Sequence, residues 1–135
     1  MNELAAIIQM VPVPWARSGM TVREGHAAAY LTPETREAEK EIRFAIRDKV
    51  VNEGPFLPGI PLCLWAVFYT VKPKSWKKSD NEPFKRPDVD NYGKLLLDAL
   101  NDYAIPDDSQ VIHLDVWKLF SSQPHIEFRV WKYEA

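Results

Sequence analysis

The sequence predicts an α+β fold: one domain over residues 1–135, with a mixed β-sheet and two main helices. Three observations carry that expectation. The chain has 135 residues, 46% of them apolar, enough for one core without disulfide staples. Segments of period two and of helical period follow one another as strand, helix, strand, helix, strand, strand. No internal repeat or linker breaks that order.

Each element has its own warrant. Ala5–Val13 is apolar and closed by Pro12 and Pro14, which marks a first strand. WARSGMTVREGHAAAY reads as a loop or hairpin carrying Arg17 and Arg23. In LTPETREAEKEIRFAIRDKVV, Thr32 is placed as N-cap, Pro33 suits the first helical position, and Glu34 favours the positive end of the helix dipole. Ala38, Ile42, Ala45, Ile46 and Val50 recur at helical spacing and form its expected buried stripe. Gly54, Pro55, Pro58 and Gly59 break the helix. Pro61–Val71 is apolar on both alternations, the pattern of a strand covered on two faces. After an irregular basic loop, Asp90 is expected to open a second helix, Asp90–Asn101, which Pro106 prevents from continuing. Tyr92, Leu95, Leu96, Ala99, Leu100 and Tyr103 make its inward stripe, with Asp90, Lys94 and Asp98 opposite. Ile112, Leu114 and Val116 alternate against His113, Asp115 and Trp117 in a half-buried strand. Ile126, Phe128 and Val130 repeat the pattern, so the last two strands are expected to pair as a hairpin around Ser121–Pro124.

Composition narrows the function classes. The single cysteine, Cys63, excludes an internal disulfide, suits a reducing cytoplasm and reads as a buried thiol. No apolar run reaches the roughly eighteen residues of a membrane span. MNELAAIIQM has acid where a signal peptide needs base, so it reads as mature protein. The net charge of −2 conceals an asymmetry: Lys72, Lys74, Lys77, Lys78, Lys85 and Arg86 lie in one loop, against only Asp80 and Glu82. Such a patch can hold a polyanion while the remaining surface stays acidic. Trp76 and Phe84, interleaved there, either stack on bases or anchor the loop.

Directly behind that loop, KRPDVDNYGKLLLDALNDYAIPDDSQV holds six aspartates. Taken singly, Asp90 reads as a helix cap and as an i,i+4 partner of Lys94. Asp88, two residues earlier, changes that, because two close carboxylates repel unless a cation or a shared proton compensates. Carboxylates, water and substrate phosphate are the ligands of hard divalent cations. An EF-hand loop counted from Asp88 would need ligands at Tyr92 and Ala99, and fails. A phosphatase nucleophile would end an apolar strand rather than follow PFKRP, and a glycosyltransferase would need a larger nucleotide-binding domain. A metal site flanked by Lys and Arg is the layout expected for phosphodiester chemistry. Asp98 and Asp102 are expected to be solvated, and His113 and His125 have no acid–base partner in the sequence.

RPDVDNYGKLLLDALN…DDSQV resembles the signature of the RusA family of Holliday junction resolvases, small phage and prophage endonucleases. The likeness is strongest over Lys85–Lys118 and extends more loosely to VPVPWARSGM and AAYLTPETREAEKEI. By position, Asp88, Asp90 and Asp108 match the family's catalytic, metal-holding carboxylates and Lys94 its catalytic lysine, while Lys118 matches a basic position on the following strand. Trp15 departs from the pattern, standing where family members often carry a polar or basic residue before the Ala16-Arg17 pair. The resemblance implies a RusA-like fold and a Mg²⁺-dependent endonuclease, with Mn²⁺ as a second suitable ion. It implies cleavage of four-way junction DNA to 5′-phosphate and 3′-hydroxyl ends by a cytoplasmic protein, bacterial or phage-encoded. Lys72, Lys74, Lys77, Lys78, Lys85, Arg86, Arg17 and Lys118 are the expected DNA contacts. A non-catalytic junction-binding relative and a nuclease for other branched DNA remain alternatives, and a contribution from Asp107 stays open.

Geometry adds a two-fold homodimer. About twelve helical residues at 1.5 Å each set Asp90 and Asp108 roughly 18 Å apart, whereas carboxylates sharing one ion must come within a few ångströms of each other through it. Antiparallel helices in two chains would bring Asp90 of one beside Asp108 of the other, and two matched sites suit the paired cuts a four-way junction needs.

Overall fold

The chain runs β1 (Glu3–Ile8), β2 (Arg17–Arg23), β3 (His26–Leu31), α1 (Pro33–Glu53), β4 (Leu62–Thr70), α2 (Val89–Leu100), a short 3-10 turn (Asp108–Gln110), β5 (Val111–Phe120) and β6 (His125–Lys132). The structure, a computed structural model, describes the backbone of residues 1–23 and 26–135 and the side chains of 1–16 and 31–135. Four strands form a mixed sheet in the order β1-β6-β4-β5, and β2 and β3 form a separate antiparallel hairpin. The first strand is shorter than expected, ending at Ile8 rather than Val13.

The expected β5–β6 hairpin does not form. β4 lies between the two strands, parallel to β5 and antiparallel to β6, so that Leu64 stands opposite both Leu114 and Val130. Burial explains the choice. β4 buries Leu62, Leu64, Ala66 and Phe68 on one face and Cys63 and Val67 on the other. A central strand can hide both sets, whereas an edge strand leaves its apolar residues poorly covered. Cys63 is accordingly the buried thiol expected.

Helices α1 and α2 touch each other and share one core with the sheet: Ile42 and Ile46 of α1 and Leu95, Leu96 and Leu100 of α2 meet Leu64, Phe68, Phe128 and Val130. Thr32 caps α1 as expected, its Oγ1 accepting from the Thr35 N–H at 3.2 Å. Ala45 is exposed, not buried: the stripe centres on Ile42 and Ile46 and takes in Thr35 and Glu39, which leaves Ala45 at its edge. Helix α2 starts one residue earlier than expected. Asp88 is its N-cap, in an extended conformation, and Asp90 falls in the first turn. Gly93 permits close approach to β5, since a Cβ there would lie 3.2 Å from Val116 Cγ2. Arg43 ties the helices together, donating to the carbonyls of Ala99 at 2.8 Å and Asp98 at 3.0 Å.

Strand β5 is an edge, and its apolar alternation is less covered than its pattern suggests. Val116 is half-buried beneath α2, but Ile112 and Leu114 are 59% and 49% exposed. Ile126, Phe128 and Val130 of β6 are buried, as expected.

Candidate active site

The side chains of Asp90, Lys94 and Asp98, at steps of four on α2, line one cavity of about 500 Å³ together with Asp108 and with Leu114 and Val116 of β5. Asp90 and Asp98 are separated by about 12 Å of helix. Asp90 Oδ1 accepts from the Asn91 N–H at 3.0 Å. The Asp108 N–H donates to Asn101 Oδ1 at 2.9 Å. Asp88 lines a different cavity, with Pro14, Arg86, Pro87 and Asn91.

Asp98 corrects an expectation: it is half-buried within the cavity rather than solvated. Burial pushes its carboxyl above the usual range, the Lys94 ammonium pulls it down, Asp108 raises it further, and the Trp15 N–H and Arg43 lower it. Glu39 on α1 is also raised, first by burial and then by Asp98, with Arg43 and Arg36 opposing. The half-buried Asp98 of α2 thus disfavours the ionised form of the buried Glu39 of α1. Asp102 is exposed, as expected.

Lys94 does not pair with Asp90. Its ammonium lies 3.6 Å from the centroid of the Trp15 ring, and no ion pair among the described residues includes it. Asp107 builds the turn that carries Asp108. It accepts from the Ser109 N–H at 3.0 Å, a bond that holds its carboxyl below the usual range, and Gln110 completes a reciprocal cap. Gln110 then anchors the turn by donating to the Leu57 and Ile60 carbonyls at 2.9 and 3.0 Å.

The basic loop leads into Asp88, which shares a cavity with Arg86. Trp76 is half-buried, packing edge-on against Phe84 at 5.5 Å and Phe120 at 5.3 Å, while Phe84 is 65% exposed. The Lys85 ammonium lies 4.6 Å from the Trp76 ring centroid. Lys74, Lys77, Lys78, Lys85 and Arg86 are exposed. Lys72 and Lys118 act on the loop itself. Lys72 donates to the Lys77 carbonyl at 2.6 Å, and Lys118 donates to the carbonyls of Lys85 at 2.6 Å and Pro87 at 2.8 Å. The side chains of Arg17 and Arg23 lie outside the described residues.

Sequence reasoning missed Asn101, Trp15 and the cavity role of Asp98. An asparagine at a helix end was the available signal for the first; the other two depend on packing between distant segments.

All three expected metal ligands offer carboxylate oxygens, the donors that Mg²⁺ and Mn²⁺ favour. Asp90 and Asp108 share one cavity, whereas Asp88 lines another. Among the described residues, no group of three carboxylate, imidazole or thiol side chains could hold one ion. Among the same residues, no helix is long and apolar enough to cross a membrane.

The sequence model of a family described as endodeoxyribonuclease RusA matches residues 9–131. The uncharacterized protein YqaN of Bacillus subtilis (strain 168) is 45% identical over 53 residues, covering 39% of this chain and 37% of that protein. The chain therefore matches little more than a third of that relative's length.

Proposed function

The chain belongs to the RusA family of endodeoxyribonucleases, and from that premise we propose that it resolves four-way DNA junctions by divalent-cation-dependent phosphodiester hydrolysis. One observation carries the reading: Asp90, Lys94 and Asp108 line a single cavity, and Asp88 lines a second with Arg86, the last residue of the exposed basic loop. Phosphodiester hydrolysis needs positive groups to hold the strand, and something to offset the charge that develops on the phosphate. Lys74, Lys77, Lys78, Lys85 and Arg86 supply the first, and Lys94 the second. Lys118 and Lys72 shape the loop from within, and Lys118 fixes the residue before Asp88.

Asp88, Asp90 and Asp108 are the residues that would hold Mg²⁺ or Mn²⁺. Such an ion, when bound, polarises the phosphate and lowers the pKa of its water. Because no group of three such side chains among the described residues could hold one ion, the proposal includes a two-fold homodimer in which a second copy completes each site. The free edge of β5 supports this reading, since Ile112 and Leu114 are exposed there and Leu114 borders the cavity. Two matched sites suit the paired nicks, with 5′-phosphate and 3′-hydroxyl ends, that a junction requires. Acting on DNA suits the cytoplasmic location of a bacterial or phage-encoded nuclease.

A cleavage assay on a synthetic four-way junction, a flap and a linear duplex, each with Mg²⁺ and with EDTA, tests the proposal. Junction cleavage in Mg²⁺ alone, with the duplex intact, is the expected outcome. Preferential cutting of the flap would reassign the substrate, and cutting in EDTA would remove the cation.

A further inference from the structure

Lys94 occupies a position where an ion pair is the ordinary outcome. It lies four residues after Asp90 and four before Asp98 on one helix face, the spacing at which aspartate and lysine attract each other. Neither pair forms among the described residues, and the ammonium rests over the Trp15 ring at 3.6 Å. We propose that Trp15 is a positioning residue, whose indole face keeps the Lys94 ammonium out of ion pairs with its flanking aspartates and so free for the scissile phosphate.

An aromatic face attracts a cation through its quadrupole and carries no net charge. A lysine held by a carboxylate presents a nearly neutral pair to an approaching phosphate. Held by an indole, it keeps more of its positive charge available, offset in part by the nearby Asp98. The ring is well placed for this task because its backbone is tied to both helices. The Trp15 N–H donates to the Asn91 carbonyl on α2 at 2.9 Å. The next residue's N–H donates to Oγ1 of the fully buried Thr35 on α1 at 3.2 Å. Trp15 also interacts with the Asp98 carboxylate, on which Lys94 acts electrostatically without forming an ion pair.

The role assigned to Lys94 rests on the nuclease reading above; the contact with Trp15 does not. The experiment therefore has two arms. In the first, NMR of protein carrying ¹³C-labelled lysine, with Lys94→Ala for assignment, reads the Lys94 ε-methylene signals. They are expected upfield of those of the other lysines through the indole ring current, with the displacement abolished in Trp15→Leu and kept in Trp15→Phe. In the second, Trp15→Leu is expected to slow single-turnover junction cleavage roughly fivefold, the scale of one exposed cation–π contact. Junction Kd should be unchanged, and Trp15→Phe should restore most of the rate. An unshifted Lys94 signal in the wild-type protein would overturn the contact. A shifted signal with an unchanged rate in Trp15→Leu, or a Phe variant as slow as the Leu variant, would overturn the positioning role. Absence of cleavage by the wild-type protein would count against the nuclease reading and with it the role of Trp15 in cleavage, leaving the contact to the first arm.

Discussion

Asn101 Oδ1 accepts a hydrogen bond from the Asp108 N–H at 2.9 Å, tying the acid that follows α2 to the residue that ends it. Asn101→Ala removes that acceptor and leaves the turn free to shift. Cleavage should slow by roughly 10- to 100-fold, because a misplacement of about 1 Å can cost that much. Junction binding should persist, since Asn101 carries no charge. A variant that cleaves at the wild-type rate would show that the rest of the turn suffices to place Asp108.

Lys118 can be separated from the other basic residues. Its ammonium bonds two loop carbonyls, so Lys118→Met should loosen the segment leading into Asp88 and lower the cleavage rate. The salt dependence of DNA binding should stay the same. A fall of about one unit in the slope of log K against log salt would mean instead that Lys118 contacts a phosphate directly.

Neutralising Lys74, Lys77, Lys78 and Lys85 together, each to Gln, should weaken binding to any DNA. The salt slope should flatten by about one unit for each phosphate that the protein no longer neutralises. These side chains are exposed, so the fold should be unaffected. An unchanged slope would move the DNA to another face of the protein.

The sequence revealed the helices and the acids far better than the strand pairing. Thr32, Pro33 and the Ile42–Ile46 stripe carry local signals, and α1 forms where they say. Strand neighbours are set by competition for burial among segments far apart in the chain, and β4 won the centre because both of its faces are apolar. The same limit applies at the site. The step of four between Asp90, Lys94 and Asp98 was visible, and they do share a face. That Trp15 would reach across from the segment before β2, and that Asn101 would hold Asp108, follow from tertiary packing that no local pattern encodes.

Glu39 predicts a pH dependence of stability. Its folded-state carboxyl is raised above the ordinary value, so the native state holds a proton that the unfolded chain has released. Stability should therefore fall as pH rises through the window just above the ordinary glutamate value, about 4.3, and level off once the raised group has ionised. Urea midpoints across that window should decline in the wild-type protein and decline less in Glu39→Gln, with Asp98 supplying part of the remaining slope. Identical slopes would remove Glu39 as a cause.

Complementation between two inactive chains tests the shared metal site most directly. Asp90→Asn and Asp108→Asn proteins should each fail to cleave a four-way junction in Mg²⁺ while still binding it, because losing an acid beside a polyanion lessens repulsion. Mixed and refolded, they should form heterodimers with one intact site, and nicking of one junction strand should return. If heterodimers form and no nicking returns, each site lies within a single chain, and a site shared between two chains is ruled out.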